Sequence, residues 1–218
     1  MRGSVKLDVS NDHNEGILES MMRREGYHHG NLRRGLVTAG VELVREGGES
    51  ALTTRACAEL NGVSSSAVFR HFRDRRALLT AVATEGFIML ARATAAAQPG
   101  PMRQDLLLAI GRAYLGFAIE EPNLFRLMYS GDALDMTDAD LKAAADPLLA
   151  RTALAAGAKG DPGDPRTLLA WSIVHGLATL AIDNQLRDLV PGEPWERIGR
   201  LHVVLDCALP LFADETEV

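Results

Sequence analysis

The sequence predicts an all-α fold, and three observations carry that prediction. Between the Gly/Pro marks REGGES, QPGP, AKGDPGDP and VPGEP, the chain runs in long segments rich in Ala, Leu, Arg and Glu, which are strong helix formers. No segment alternates apolar and polar residues with a period of two between turn signals, so no strand is predicted. Apolar residues recur instead at helical spacing, first at Leu32, Leu36, Ala39 and Leu43 with Val37, Val41 and Val44 beside them. At 218 residues, 47% of them hydrophobic, the chain is long enough to bury a sizeable core in one or two domains.

In chain order, residues 1–25 show little hydrophobic patterning beyond ILESMM and are expected to form a flexible arm, with a helical turn or two at most before Tyr27. The first full helix follows and closes at Gly47-Gly48. Then comes LTTRACAELNGVSSSAVFRHFRDRRALLTAVA. Thr53 caps a short helix whose inward residues are Cys57, Ala58 and Leu60, and Gly62 suits the left-handed turn that ends it. Ser64 starts a second short helix, with Val63, Val68 and Phe72 turned to the core and Ser65, Ser66, Phe69, Arg70 and His71 on the other faces. Asp74 caps a third, longer helix running to about residue 97. Two short helices around a tight glycine turn are the signature of a helix-turn-helix. Five further helices are expected over 103–120, 122–129, 137–159, 165–187 and 194–213. The domain reading is therefore an arm over 1–25, a helix-turn-helix domain over 26–82 and a helical body over 83–218.

Charge points to a polyanionic partner for the first half. From Arg23 to Arg76 there are ten arginines against six acids, a local +4, and the overall −6 leaves −10 for the rest. In a helix-turn-helix the second helix enters the major groove, where side chains must be small and still able to hydrogen-bond, a demand that Ser65 and Ser66 meet. Thr53, Arg70, His71 and Arg75 supply donors and positive charge for the flanking phosphates.

At these residues the sequence resembles the tetracycline-repressor-like (TetR) family of bacterial regulators. Thr53, Ala58, Gly62, Val63, Ser64, His71, Phe72 and Leu78 match its pattern, and the resemblance covers about Tyr27 to Ala83. It implies phosphate contacts from Thr53, His71 and Arg75 and base contacts from Ser64, Ser65 and Ser66. Phe69 stands where the family usually has a Tyr that meets a phosphate, so it is kept at that place in the interface without the phenolic OH. Arg75 replaces the usual Lys, Cys57 an aliphatic residue and Asn61 an Ala.

The last two segments, TLLAWSIVHGLATLAI and IGRLHVVLDCALPLF, are apolar nearly all round, which requires burial on more than one side. A second subunit meets that need, and Leu177, Ala181, His202, Leu205 and Leu209 are taken as the dimer interface, forming a four-helix bundle. AWSIVHGLATL resembles the Trp-x-x-x-His-Gly motif of one TetR subgroup, and EPNLFRLMY its preceding helix. Trp171 and His175, four apart on one face, fit either core or ligand contacts. With Leu107, Tyr114, Phe117, Phe125, Met128 and Tyr129 they make a set of large apolar side chains with a few polar tips, the lining expected of a pocket for a small hydrophobic effector.

Other chemistry finds little support. Cys57 and Cys207 lie far apart without metal-ligand spacing, so they read as buried, inert thiols, and neither a metal nor a cofactor is expected. No run reaches the roughly 18 apolar residues of a membrane span, and the start is polar, which places the chain in the cytoplasm. The leading reading is a ligand-responsive transcriptional regulator, a repressor that binds a palindromic DNA operator as a homodimer and is released by its effector. The alternative is an all-helical enzyme, using Cys57 or His175 with Asp183, or an interaction module without DNA affinity. No nucleophile elbow, phosphate loop or paired carboxylates favour the enzyme.

Overall fold

A computed structural model describes residues 32–191 and 194–212. The arm expected over 1–25 and the turn before Tyr27 lie outside the described residues. The described chain consists of α1 (Leu32–Ala51), α2 (Thr54–Leu60), α3 (Ser65–Phe69), α4 (Arg75–Ala96), α5 (Arg103–Glu120), α6 (Pro122–Met128), α7 (Ala139–Ala155), α8 (Pro165–Ile182), α9 (Pro194–Ala208) and a short 3-10 helix (Leu209–Phe212). Among the described residues there is no strand, as the absence of two-residue alternation predicts.

The first four helices share one core. Leu36, Val41 and Val44 of α1 meet Cys57 and Ala58 of α2, Val68 of α3, Phe72, and Leu78, Leu79 and Val82 of α4. The expected caps are in place: Thr53 Oγ1 accepts from the Ala56 N–H, and the Asp74 carboxylate from the Ala77 N–H. Gly62 has φ 63, the left-handed conformation that lets α3 turn sharply away from α2. Leu60 departs from expectation, being 51% exposed. At the last position of so short a helix it lies opposite Ala58 and on the outer flank of Cys57, at the edge of the core face.

Helix α4 runs from one half into the other. Its buried residues, including Leu78, Leu79, Val82, Ala83, Phe87 and Leu90, form a broad face over about half of its circumference. It packs against α1 and against α5, α6 and α7. Each fully buried leucine contributes about 1.5–3 kcal/mol. Among the described residues α4 alone is long and apolar enough to cross a membrane, and half of its apolar window is buried inside this fold.

Three helices stop short of their predicted ends, each for a local reason. Helix α7 ends at Ala155, where Arg103 Nη1 donates to the Ala155 carbonyl and Gly157 takes φ 81. Helix α8 ends at Ile182, whose carbonyl accepts from Arg126 Nη2, and Asn184 then takes φ 57. Helix α9 gives way to the 3-10 turn at Pro210, which has no N–H to continue the ladder. The cysteines also divide. Cys57 is buried, and desolvation pushes its thiol up to about 11, whereas Cys207 is exposed, contrary to expectation, because it falls on the outer face of α9.

The α1–α4 crossing rests on Gly40, where a Cβ would come 2.5 Å from Val82 Cγ2 and 3.2 Å from Leu52 Cδ1. Gly40→Ala is therefore expected to lower stability by about 1–3 kcal/mol in urea unfolding. Gly116, in α5, has nothing within 4 Å of the added atom, so Gly116→Ala is expected to be neutral or stabilising by up to about 1 kcal/mol. Equal effects of the two substitutions would refute the packing argument.

Candidate nucleic-acid interface and ligand cavity

The Gly62 turn presents the start of α3 outward. Ser64, Ser65, Ser66, Phe69, Arg70 and His71 are all exposed. Ser64 is the N-cap by backbone position, but its side chain makes no cap bond and lies 2.8 Å from the Ser66 hydroxyl. Thr53 is exposed beside them and, having accepted from Ala56, keeps its hydroxyl proton to donate. Phe69 is 53% exposed, an uncovered ring at the end of the helix that carries the serines. Seven of the eight predicted contacts are thus exposed.

Arg75 is held differently. Its guanidinium turns back onto the end of α1, with Nε donating to the Leu52 carbonyl at 2.8 Å and Nη2 to the Glu49 carbonyl at 2.6 Å. Nη1 also meets the Glu49 carboxylate at 3.2 Å. An arginine so engaged caps α1 and fixes α4 to it, a structural role that the sequence reading did not contain.

A cavity of about 390 Å³ lies in the body, with α4, α5, α7, α8 and α9 around it. Tyr114, Tyr129 and Trp171 line it, as expected, and so does Leu107. The other predicted ligand contacts do not. Phe117, Phe125 and Met128 are buried in the core, Phe125 lying against Tyr114 and Tyr129 at ring distances of 5.5 and 5.0 Å and Met128 filling the space at Gly86. His175 sits behind Tyr114, its Nδ1 2.8 Å from the tyrosine hydroxyl, and stacks on Trp171 at 5.1 Å. Helical periodicity could not separate the ring that faces space from the ring that faces a neighbour.

Leu205 and Leu209, predicted at a dimer interface, line the cavity instead. Leu205 is 6% exposed within the single chain and packs over Gly111. The four-residue spacing Leu201, Leu205, Leu209 marks the inner face of α9 and was the available signal. Phe87, Ile110, Leu148, Thr152 and Val174 also line the cavity and were missed. The polar tips are neutral near pH 7. Burial raises Tyr114 well above the ordinary phenol range and pushes Tyr129 up to about 12, and it lowers His175.

Residues 36–82 match the family model for bacterial regulatory proteins of the tetR family, and residues 107–203 match a tetracyclin repressor-like C-terminal domain. The chain belongs to the TetR family. This TetR protein is similar in structure to a protein of unknown function from Rhodococcus sp. RHA1, 30% identical, with a TM-score of 0.67 over 85% of this chain and 95% of that one. Two TetR-family transcription regulators share the fold. One from Marinobacter aquaeolei VT8 is 17% identical, TM-score 0.59, covering 83% of this chain and 95% of that chain. The other, from Streptomyces coelicolor, is 19% identical, TM-score 0.63, covering 87% and 86%. No curated protein sequence matches. Family membership makes this TetR protein a ligand-responsive DNA-binding transcriptional regulator, with the helix-turn-helix as its DNA-binding element. The C-terminal match spans the Trp171–His175–Gly176 motif without singling out a subgroup.

The two arginines at the head are separable by experiment. Arg70→Ala is expected to leave unfolding within about 0.5 kcal/mol of the parent while weakening DNA binding and reducing its log–log salt slope by about 1. Arg75→Ala is expected to lower stability by about 1–3 kcal/mol, because the α1 carbonyls lose their donor. An Arg75→Ala protein that unfolds like the parent and still loses DNA affinity would restore Arg75 as a plain phosphate contact.

Proposed function

We propose that this TetR protein is a cytoplasmic, homodimeric repressor that binds a palindromic operator and is released when a small hydrophobic effector fills the cavity. The observation that carries this reading is the sharing of α4 between the two sites. Phe87 of α4 lines the cavity, while Arg75, at its start, is fastened to the DNA-reading head. A second connection runs through residues 129–138. Tyr129 and Met136 line the cavity, and between them the Asp135 N–H donates to Thr80 Oγ1 at 2.9 Å and its carboxylate pairs with Arg73 at 3.2 Å. Arg76 also donates to the Leu134 carbonyl. An effector that fits better when α4 is displaced shifts the spacing of the two heads, by a coupling of about 1–3 kcal/mol in systems of this kind. The boundary proposed near residue 82 falls inside α4, so head and body form one mechanical unit.

Exposed apolar side chains support the dimer. Leu168, Leu169 and Leu180 of α8 and Val203 and Val204 of α9 are 38–56% exposed, and Gly176 has open space over it for a close backbone approach. Leu177, Ala181 and His202 are half-buried at the edge of this face. Packed on a second copy, the two helices form a four-helix bundle, and two α3 helices then read two half-sites.

Two experiments test the proposal. Leu180→Arg with Val203→Arg is expected to convert a dimer to monomer in sedimentation at micromolar concentration, and a wild type that is already monomeric there sinks the interface. In a Trp195→Phe background, hydrophobic compounds that change Trp171 fluorescence are expected to release operator DNA. Compounds that alter the fluorescence without affecting DNA binding would disconnect cavity from operator.

A further inference from the structure

The hydrogen-bond chain beside the cavity has a direction, and the direction ends at an unused donor. The Tyr114 hydroxyl donates to the Tyr129 hydroxyl at 2.8 Å. It has one proton, so its 2.8 Å contact with His175 Nδ1 must be a bond that it accepts, from the Nδ1–H tautomer of His175. The chain thus runs from His175 to Tyr114 to Tyr129. The Tyr129 oxygen accepts at the end of it, the Trp171 indole N–H, a donor only, also hydrogen-bonds to the tyrosine oxygens, and among the described residues nothing is recorded as accepting the Tyr129 proton. Tyr129 is on the cavity wall.

The other lining groups set the charge that the cavity tolerates. Thr152, 7% exposed, already donates to the Leu148 carbonyl. No lysine, arginine or histidine is among the lining residues, and the single ionised group, Asp146, is solvent-exposed. A carboxylate or phosphate drawn inside would be a buried charge without a partner, which is strongly unfavourable. An ammonium would find a single counter-charge, Asp146, in contact with water and screened by it, and the aromatic rings of the wall would offset only part of its desolvation cost. A wholly apolar guest would leave the Tyr129 donor desolvated and unpaired.

From this we infer that the effector is an uncharged, mostly apolar molecule whose polar group is a hydrogen-bond acceptor, an oxygen of ester or ketone type that takes the proton of the Tyr129 hydroxyl. The inference rests on the cavity being the effector site, as proposed above, and adds the chemical class. The bond from the Tyr114 hydroxyl to Tyr129, with His175 in its Nδ1–H tautomer behind it, sets the polarity of the chain, so Tyr129 is a donor to the guest and not an acceptor from it.

The test is calorimetric titration of the intact wild-type protein at pH 8 with methyl octanoate, octanoate, octylamine and octyl chloride. Methyl octanoate is expected to bind tightest, octanoate and octylamine at least about a hundredfold more weakly, and octyl chloride roughly tenfold more weakly. Tyr129→Phe is expected to bring methyl octanoate down to the level of octyl chloride while leaving octyl chloride unchanged, the latter showing that the variant keeps its cavity. Octanoate or octylamine binding as tightly as the ester overturns the class and leaves the cavity reading standing. A Tyr129→Phe protein that keeps the full preference for ester over chloride overturns the role of Tyr129. If none of the four probes binds, the cavity reading fails and takes this inference with it.

Discussion

The burial of one broad face of α4, against the head at its start and the body farther along, constrains much else in this protein. Leu78 and Val82 sit in the core with α1, while Phe87 and Leu90, farther along the same helix, lie among the body helices. Interiors at this packing density have discrete arrangements and little continuous give. A displacement of α4 by one guest molecule is therefore passed on to the head or resisted as a whole. The approach of α1 to α4 at Gly40 and of α6 to α4 at Gly86 sets the distances at which those two contacts lock.

Around this apolar centre, arginines donate to backbone carbonyls at helix ends and in the connections between helices. Arg75 takes the Glu49 carbonyl in the last turn of α1 and the Leu52 carbonyl just beyond it, and Arg76 takes Leu134. Arg103 takes Ala155 and Phe212, and Arg126 takes Ile182 together with the Asp183 carboxylate. Arg45 pairs with Glu121, next to Asn123, whose amide donates to the Arg45 carbonyl, so that α1 is tied to α6. Much of the positive charge of the first half thus fastens the head to itself and to the body. Arg70 differs, standing exposed at the end of α3.

The aromatic cluster shows why pocket and core are hard to tell apart by composition. Tyr114, Phe125, Tyr129, Trp171 and His175 touch one another with ring distances of 4.5 to 6.4 Å. Three of them wall the cavity and two stand behind it. The polar ends of the cluster are satisfied by one another except at the side that faces the empty space, so the same network that stabilises the core also defines what a guest must offer.

Local features were legible in the sequence because their causes are local. The caps Thr53 and Asp74, the left-handed Gly62, the exposed row Ser64 to Ser66 and the inward Val68 and Phe72 follow from backbone geometry and a period of 3.6 residues. What needed the tertiary structure is whatever depends on which neighbour a face meets. Sequence spacing put Leu60 inside and Leu205 at a partner, and charge together with the family resemblance assigned Arg75 to a phosphate. The fold exposes Leu60, turns Leu205 into the cavity and engages Arg75 with α1. A helix that is apolar all round states that both sides are covered but not which side meets its own chain and which meets another. That choice is made by the packing of α5 against α8 and α9, a long-range contact that no window of sequence contains.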